Sequence, residues 1–131
     1  MTTLASLAGR TILLVEDNDD VSHLAENYLR SLGYRVLTAG SGEEAMELLN
    51  GEDAAVDLLF TDLVMPGGMS GVELARQVAQ DWPDMRIALT SGYVGDDVDA
   101  VLADTPWPFL RKPYSAEQLR QVIEGRASPP A

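Results

Sequence analysis

Glu16, Asp17, Asp62, Lys112 and a hydroxyl at Ser91 or Thr90 have the types from which a phosphoryl-transfer site could be built. Each follows a short apolar run, and each comes just before residues that turn the chain. Three carboxylates gathered in one place repel, and their pKa values rise unless a cation sits among them. Hard oxygen ligands of this kind suit Mg²⁺, which keeps several waters and takes one or two carboxylates together with phosphate oxygens. A lysine and a hydroxyl nearby would supply positive charge and a hydrogen-bond donor to the phosphoryl group. The set reads as metal-assisted phosphoryl transfer onto a carboxylate, with Asp62 as the nucleophile.

The elements that must position these groups can be read from periodicity. Leu58-Leu59-Phe60 has no polar alternation, as expected of a strand covered on both faces, so a central strand is placed from about Val56 to Thr61. Pro66, Gly67 and Gly68 break the chain after it. Thr11 to Val15 is a second buried strand, Tyr34 to Thr38 a more exposed one, Arg86 to Thr90 a fourth, and Trp107 to Arg111 a fifth. Pro108 suits an edge position for that last strand.

Between the strands lie amphipathic stretches. Val21, Leu24, Ala25, Tyr28, Leu29 and Leu32 line one helical face closed by Gly33. Capping boxes at Ser41/Glu44, Ser70/Glu73 and Ser115/Gln118 open three more helices. Their inward stripes are Ala45, Leu48 and Leu49; then Val72, Ala75, Val78 and Ala79; then Leu119, Val122 and Ile123. Asp96 to Asp104 is a weaker helical stretch. Strand and helix alternate five times, which calls for a mainly parallel α/β sheet with helices on both faces. In such sheets the carboxyl ends of the strands share one rim, where ligands bind. Residues 1–10 read as a leader or linker, 11–125 as the domain, and 126–131 as a disordered tail.

Composition removes other chemistries. The 131 residues contain no cysteine and one histidine, His23, so thiolate catalysis, disulfides and Cys/His zinc sites are excluded. Twenty-one acidic residues against nine basic ones give a net charge of −12, which repels nucleic-acid backbones and anionic lipid. No apolar run has the length of a membrane span, and the start lacks the form of a signal peptide, so a cytoplasmic domain is expected.

Four motifs carry a resemblance: Leu13-Leu14-Val15-Glu16-Asp17-Asn18; Asp62-Leu63-Val64-Met65-Pro66 with Gly71 closing the loop; Thr90-Ser91-Gly92-Tyr93; and Lys112-Pro113. In this order and spacing, over roughly residues 10–125, the chain resembles the receiver domains of bacterial two-component response regulators. The resemblance implies a flavodoxin-like doubly wound (βα)₅ fold with strand order 2-1-3-4-5. It implies that Asp62 accepts a phosphoryl group from a phosphohistidine on a sensor histidine kinase or histidine phosphotransfer protein, making this a phosphoprotein and relay switch, not an enzyme acting on other molecules. Asp17 would bind Mg²⁺ (or Mn²⁺) directly, Glu16 through water, and Asp62 and the Val64 backbone carbonyl would complete the metal's protein ligands. Ser91, preferred over Thr90 because Gly92 follows it, would hydrogen-bond the phosphoryl group, and Lys112 would contact it. Phe109 stands where the family carries a switching aromatic, and the Lys112-Pro113 bond would be cis. The loop after Asp62 is one residue longer than the commonest form and, with Ser91-Gly92-Tyr93, looks most like receivers attached to hybrid kinases. A stand-alone receiver, or one cut from a hybrid kinase, would act by binding an output partner, as a monomer or weak homodimer.

Two rival readings use the same residues. Asp17-Asn18-Asp19-Asp20-Val21 fits the pattern of haloacid-dehalogenase-type phosphatases, with Asp17 as nucleophile and Asp19 as acid/base. Against it, Asp19 falls where the first helix must start, and the chain leaves little room for a distal acidic pair and cap. The other reading is a pseudo-receiver, a binding module that is never phosphorylated. Simpler roles also exist: Glu16-Asp17 as helix-start carboxylates and Asp62 as a turn former. Neither accounts for Lys112 at the same rim.

Overall fold

A stretch without polar alternation has two faces to hide, and the three such strands occupy the middle of the sheet. The computed structural model describes residues 10–51, 55–65, 68–92, 103 and 105–124. In chain order these form β1 (Thr11–Val15), α1 (Asp19–Ser31), β2 (Arg35–Ala39), α2 (Gly42–Leu49), β3 (Leu58–Asp62), α3 (Gly71–Asp81), β4 (Arg86–Ser91), β5 (Phe109–Arg111) and α4 (Ala116–Glu124). The strands pair in parallel in the order β2-β1-β3-β4-β5. This is the flavodoxin-like doubly wound arrangement. Every residue of β3 is buried, whereas β2 and β5, at the edges, alternate buried with exposed positions.

Period-2 alternation along the strands divides the core in two. On one face Leu13, Val15, Leu59, Ile87 and Leu89 pack with α2 and α3 residues such as Ala45, Leu49, Leu74 and Val78. On the other, Ile12, Leu14, Leu58, Phe60, Ala88 and Leu110 pack with Ala25 and Leu29 of α1 and with Leu119, Val122 and Ile123 of α4. The same alternation continues past the strand ends. It sends Glu16, Asp62 and Lys112 to the second face, above α1 and α4.

Helix termini follow local chemistry closely. Gly33, at φ 98°, ends α1, with Gly33 N–H donating to Arg30 O (3.0 Å) and Tyr34 N–H to Leu29 O (3.2 Å), the two bonds of a Schellman cap. Both arms of the capping box are present at Ser70/Glu73 and at Ser115/Gln118. At α2 only one arm matches. Ser41 Oγ accepts from Glu44 N–H (3.1 Å), but the Glu44 carboxylate accepts from Gly40 N–H (2.8 Å), one residue before the cap.

Other differences from the periodicity reading are positional. β2 and β3 each lie further along the chain than read, so Asp62 is the last residue of its strand. β5 starts only at Phe109, because Pro108 has no N–H to place in the ladder; its carbonyl still accepts from Leu89 N–H (2.8 Å). Leu24, read as part of the buried stripe of α1, is 53% exposed. It stands at the edge of that stripe, about a third of a turn from the centre marked by Ala25 and Leu29. Leu74, absent from the stripe read for α3, is fully buried. The helical stretch read at Asp96–Asp104 lies outside the described residues except for Ala103, as do most of the leader and the whole tail.

Candidate functional site

Three strand ends meet at the carboxyl rim of the sheet. Glu16 directly follows β1, and its N–H still donates to Ala39 O of β2 (3.0 Å), so the ladder places its side chain. Asp62 closes β3 and pairs in register with Thr90. Leu63 N–H continues that ladder to Thr90 O (2.8 Å), and Lys112 N–H donates to Ser91 O (3.0 Å), tying the segment after β5 to β4. Lys112-Pro113 is a cis peptide bond.

Carboxylate oxygens of Glu16, Asp17 and Asp62 all lie within 4.8 Å of one another. Glu16 and Asp62 are buried and Asp17 is exposed, so the group opens to solvent on one side. Lys112 Nζ bridges the buried pair, 2.6 Å from Glu16 Oε1 and 2.7 Å from Asp62 Oδ2. Glu16 Oε2 accepts from Asn18 N–H (3.2 Å), and Asp62 Oδ1 from Val64 N–H (3.1 Å). Three carboxylates against one ammonium leave two formal negative charges uncompensated, a donor set and charge that fit a divalent oxygen-seeking cation.

The electrostatics follow from burial and crowding. Burial and then the Asp62 charge push the Glu16 carboxyl above its ordinary pKa, although the Lys112 hydrogen bond opposes them. For Lys112, burial disfavours the ammonium, but hydrogen bonds to Asp62 and Glu16 outweigh it and hold the pKa above the usual lysine value. Tyr114, mostly buried next to the pair, has its phenol pKa raised by burial and by the charges of Glu16 and Asp62. Its ring meets Phe60 edge-on, with centroids 6.1 Å apart. This tyrosine was not among the residues singled out from the sequence; its place one residue beyond Lys112-Pro113 was the available signal. Asn18 was quoted in a motif without a role, yet it both caps α1, accepting from Val21 N–H (3.1 Å), and donates its own N–H to Glu16.

Of the remaining residues named in the motifs, Pro66 and Tyr93 lie outside the described residues, as does Gly67 of the loop. Both hydroxyl candidates are buried. Thr90 Oγ1 donates to Leu110 O (2.6 Å), so its one donor is committed to β5. Val64 is 38% exposed at the start of the loop. Phe109 is half-buried and packs on the α2–α3 side of the sheet, the opposite face from Asp62 and Lys112. Asp19 is the first residue of α1, and its carbonyl faces His23 Nδ1 (3.0 Å).

Gly71 closes the loop after Asp62. Its N–H donates to Leu63 O (2.9 Å), and a Cβ built on it would lie 1.7 Å from Asp62 O and 2.9 Å from Leu63 Cα. Because those atoms are backbone, no side chain can move aside. Gly71→Ala is expected to cost about 3 kcal/mol or more in a urea unfolding titration, at the upper end of overpacking effects. An unchanged midpoint would show that the loop tolerates reopening.

Two clefts lined by described residues do not include the rim carboxylates. One of about 480 Å³ lies at the amino ends of the strands, between Arg10, Asp57, Trp82 and Arg86, far from the rim chemistry. Another of about 360 Å³, largely apolar, reaches the rim at Lys112 and runs along α1 past Val21 and Leu24 to Tyr114.

A parallel 2-1-3-4-5 sheet with an acidic, lysine-bridged rim at its carboxyl edge defines a doubly wound α/β domain with a candidate cation and phosphoryl site. Residues 12–124 match the family described as response regulator receiver domain. The chain is 39% identical over 115 residues to sensor kinase CckA of Brucella abortus (strain 2308), aligning over 87% of its own length and spanning 12% of that protein. It is 34% identical over 119 residues to the response regulator receiver protein CpdR of the same strain, covering 88% of this chain and 94% of CpdR. Among solved structures, response regulator protein TrrA of Thermotoga maritima in complex with Mg(2+)-BeF superposes with a TM-score of 0.75 at 27% identity, over 89% of this chain and 98% of that one. The chain belongs to the response regulator receiver domain family of two-component signalling. No helix among the described residues is long and apolar enough to cross a membrane.

Proposed function

We propose that Asp62 accepts a phosphoryl group from a phosphohistidine on a sensor kinase or phosphotransfer protein, and that the domain passes the signal on by changing what it binds. The observation that carries this reading is the joint placement of Glu16, Asp17 and Asp62 within 4.8 Å, with Lys112 Nζ 2.7 Å from Asp62. A carboxylate oxygen of Asp62 attacks phosphorus; the bond from phosphorus to the donor nitrogen breaks, and the nitrogen keeps the electron pair. The product is an acyl phosphate. Lys112 then faces a mixed anhydride with added negative charge where it had faced a carboxylate.

Asp17 and Asp62 would hold Mg²⁺ directly, with the Val64 carbonyl, and Glu16 through water; Mn²⁺ would substitute. When bound, the ion supplies charge neutralisation between the attacking carboxylate and the phosphoryl oxygens. The Mg(2+)-BeF complex of a receiver with the same fold supports this assignment. Ser91, the one of the two hydroxyl residues directly followed by a small residue, Gly92, is assigned as the hydroxyl that meets the phosphoryl group. Phe109, on the far side of the sheet and lacking a hydroxyl, would register the change by repacking near α2 and α3 rather than by touching phosphate.

Incubation with acetyl phosphate and Mg²⁺ should add the mass of one phosphoryl group, removable by hydroxylamine and suppressed by EDTA. A wild-type protein that takes up nothing under these conditions would leave only a binding module.

A further inference from the structure

We propose that Glu43 is a positioning residue for the chemistry at Asp62, latching the β3–α3 loop to the first turn of α2. The inference rests on the proposed role of that loop in offering the Val64 carbonyl to Mg²⁺. The loop leaves the sheet at Asp62 and returns at Gly71, where the backbones of the two ends are in contact. Leu63 and Met65 root its beginning in the core. Further out, the Met69 side chain packs against the core and Gly42, and Glu43 adds a hydrogen bond to the Met69 backbone.

Glu43 Oε2 accepts from Met69 N–H at 3.0 Å, across 26 residues of chain. Two glycines make that approach fit. Gly68 has φ +107°, and a Cβ on it would lie 2.7 Å from the same Glu43 oxygen. Gly42, next to Glu43, is where the Met69 side chain lies: a Cβ there would come within 3.0 Å of Met69 Cβ, Cγ and Sδ. An acidic residue in a first turn is ordinarily explained by the helix dipole alone. Here the neighbouring first-turn carboxylate, Glu44, turns back to Gly40 N–H, whereas Glu43 reaches another segment at a point where both backbones lack side chains.

A metal ligand on a loop binds tightly only if the loop need not be ordered at the moment of binding. The Gly71–Leu63 bond closes the base of the loop, and Glu43 fixes its return at Met69. Calorimetric titration with Mg²⁺ alone, in about 0.15 M salt to screen the charge at Glu43, tests this. Glu43→Ala should weaken Mg²⁺ binding about tenfold, as lost outer supports of metal ligands do. Glu43→Gln, which keeps a carbonyl acceptor but not the charge, should stay near wild type. Gly68→Ala, which keeps the charge but crowds the Glu43 carboxylate and strains the backbone at φ +107°, should weaken binding at least as much as Glu43→Ala. Faster hydrogen exchange at the Met69 amide in Glu43→Ala and Gly68→Ala, but not in Glu43→Gln, should accompany the loss. Wild-type affinity in Glu43→Ala would overturn the latch, and so would equal losses in Glu43→Ala and Glu43→Gln, which would mark a charge effect. A wild-type protein that binds no Mg²⁺ would instead bring down the phosphoacceptor reading, and the latch's role with it.

Discussion

Asp62→Asn is expected to abolish phosphate uptake from acetyl phosphate, leaving the protein at its unmodified mass after any incubation time. The carboxamide removes the anionic oxygen that attacks phosphorus and cannot form a stable acyl phosphate. The change is nearly isosteric, and the Asn carbonyl can still accept from Val64 N–H, which now meets Asp62 Oδ1 at 3.1 Å, so the fold should persist. Asp17→Asn should behave differently, slowing uptake and regaining part of it at higher Mg²⁺, because Asp17 is an exposed member of the carboxylate group and not its acceptor. The opposite pattern, with uptake lost in Asp17→Asn and retained in Asp62→Asn, would point to the phosphatase-like reading of Asp17-Asn18-Asp19 and overturn the assignment of Asp62.

Lys112→Met is expected to lose about 3 kcal/mol of unfolding free energy in Mg²⁺-free buffer at neutral pH, since removing one partner of a buried pair leaves an uncompensated charge. The side chains of Glu16 and Asp62 are only 3% and 5% exposed, and Lys112 is the ammonium bonded to both. The loss should shrink as pH falls toward the carboxylate range, because Glu16, whose pKa is already raised by burial, takes up a proton and removes one of the stranded charges. At the alkaline end the loss should shrink as well. Lys112 has a folded-state pKa above its ordinary 10.5, so its stabilisation is complete below that value and disappears as pH rises through the folded one. Wild type should therefore lose more stability there than Lys112→Met, in which only the buried tyrosines, Tyr114 foremost, still make the fold weaken as pH rises. Mg²⁺ at about a hundred times its Kd adds about 2.7 kcal/mol to a protein that binds it only when folded. In Lys112→Met the gain should exceed that of wild type at equal Mg²⁺, because no ammonium competes for the carboxylates. Urea midpoints that coincide with and without Lys112 in EDTA would show that the lysine does not compensate the pair.

Both experiments concern groups whose types were legible in the chain. Glu16, Asp17, Asp62 and Lys112 announced themselves by following apolar runs, and the parallel sheet expected from five alternations brings strand ends to one edge. Strand and helix periods, Schellman glycine and capping boxes are local patterns, set by residues within four of each other, so they could be read directly. The edge character of β5 was likewise visible in Pro108.

Tertiary structure alone decided which groups touch. Lys112 is 50 residues from Asp62, and its bridging of Glu16 and Asp62 depends on sheet order and register, which no local pattern encodes. The face assignment that separates Phe109 from the carboxylates comes from the same register. Sequence separated Ser91 from Thr90 only by the Gly92 that follows; that the Thr90 hydroxyl goes to Leu110 O comes from the pairing of β4 with β5. Gly71 against Asp62 O, and Glu43 against Met69 N–H, are close approaches between backbones and side chains that a string of residue types does not reveal. The sequence by itself determined which chemistry the rim could hold, because residue type sets charge and ligand softness. Distance, and with it whether those charges act together, was decided by the packed sheet.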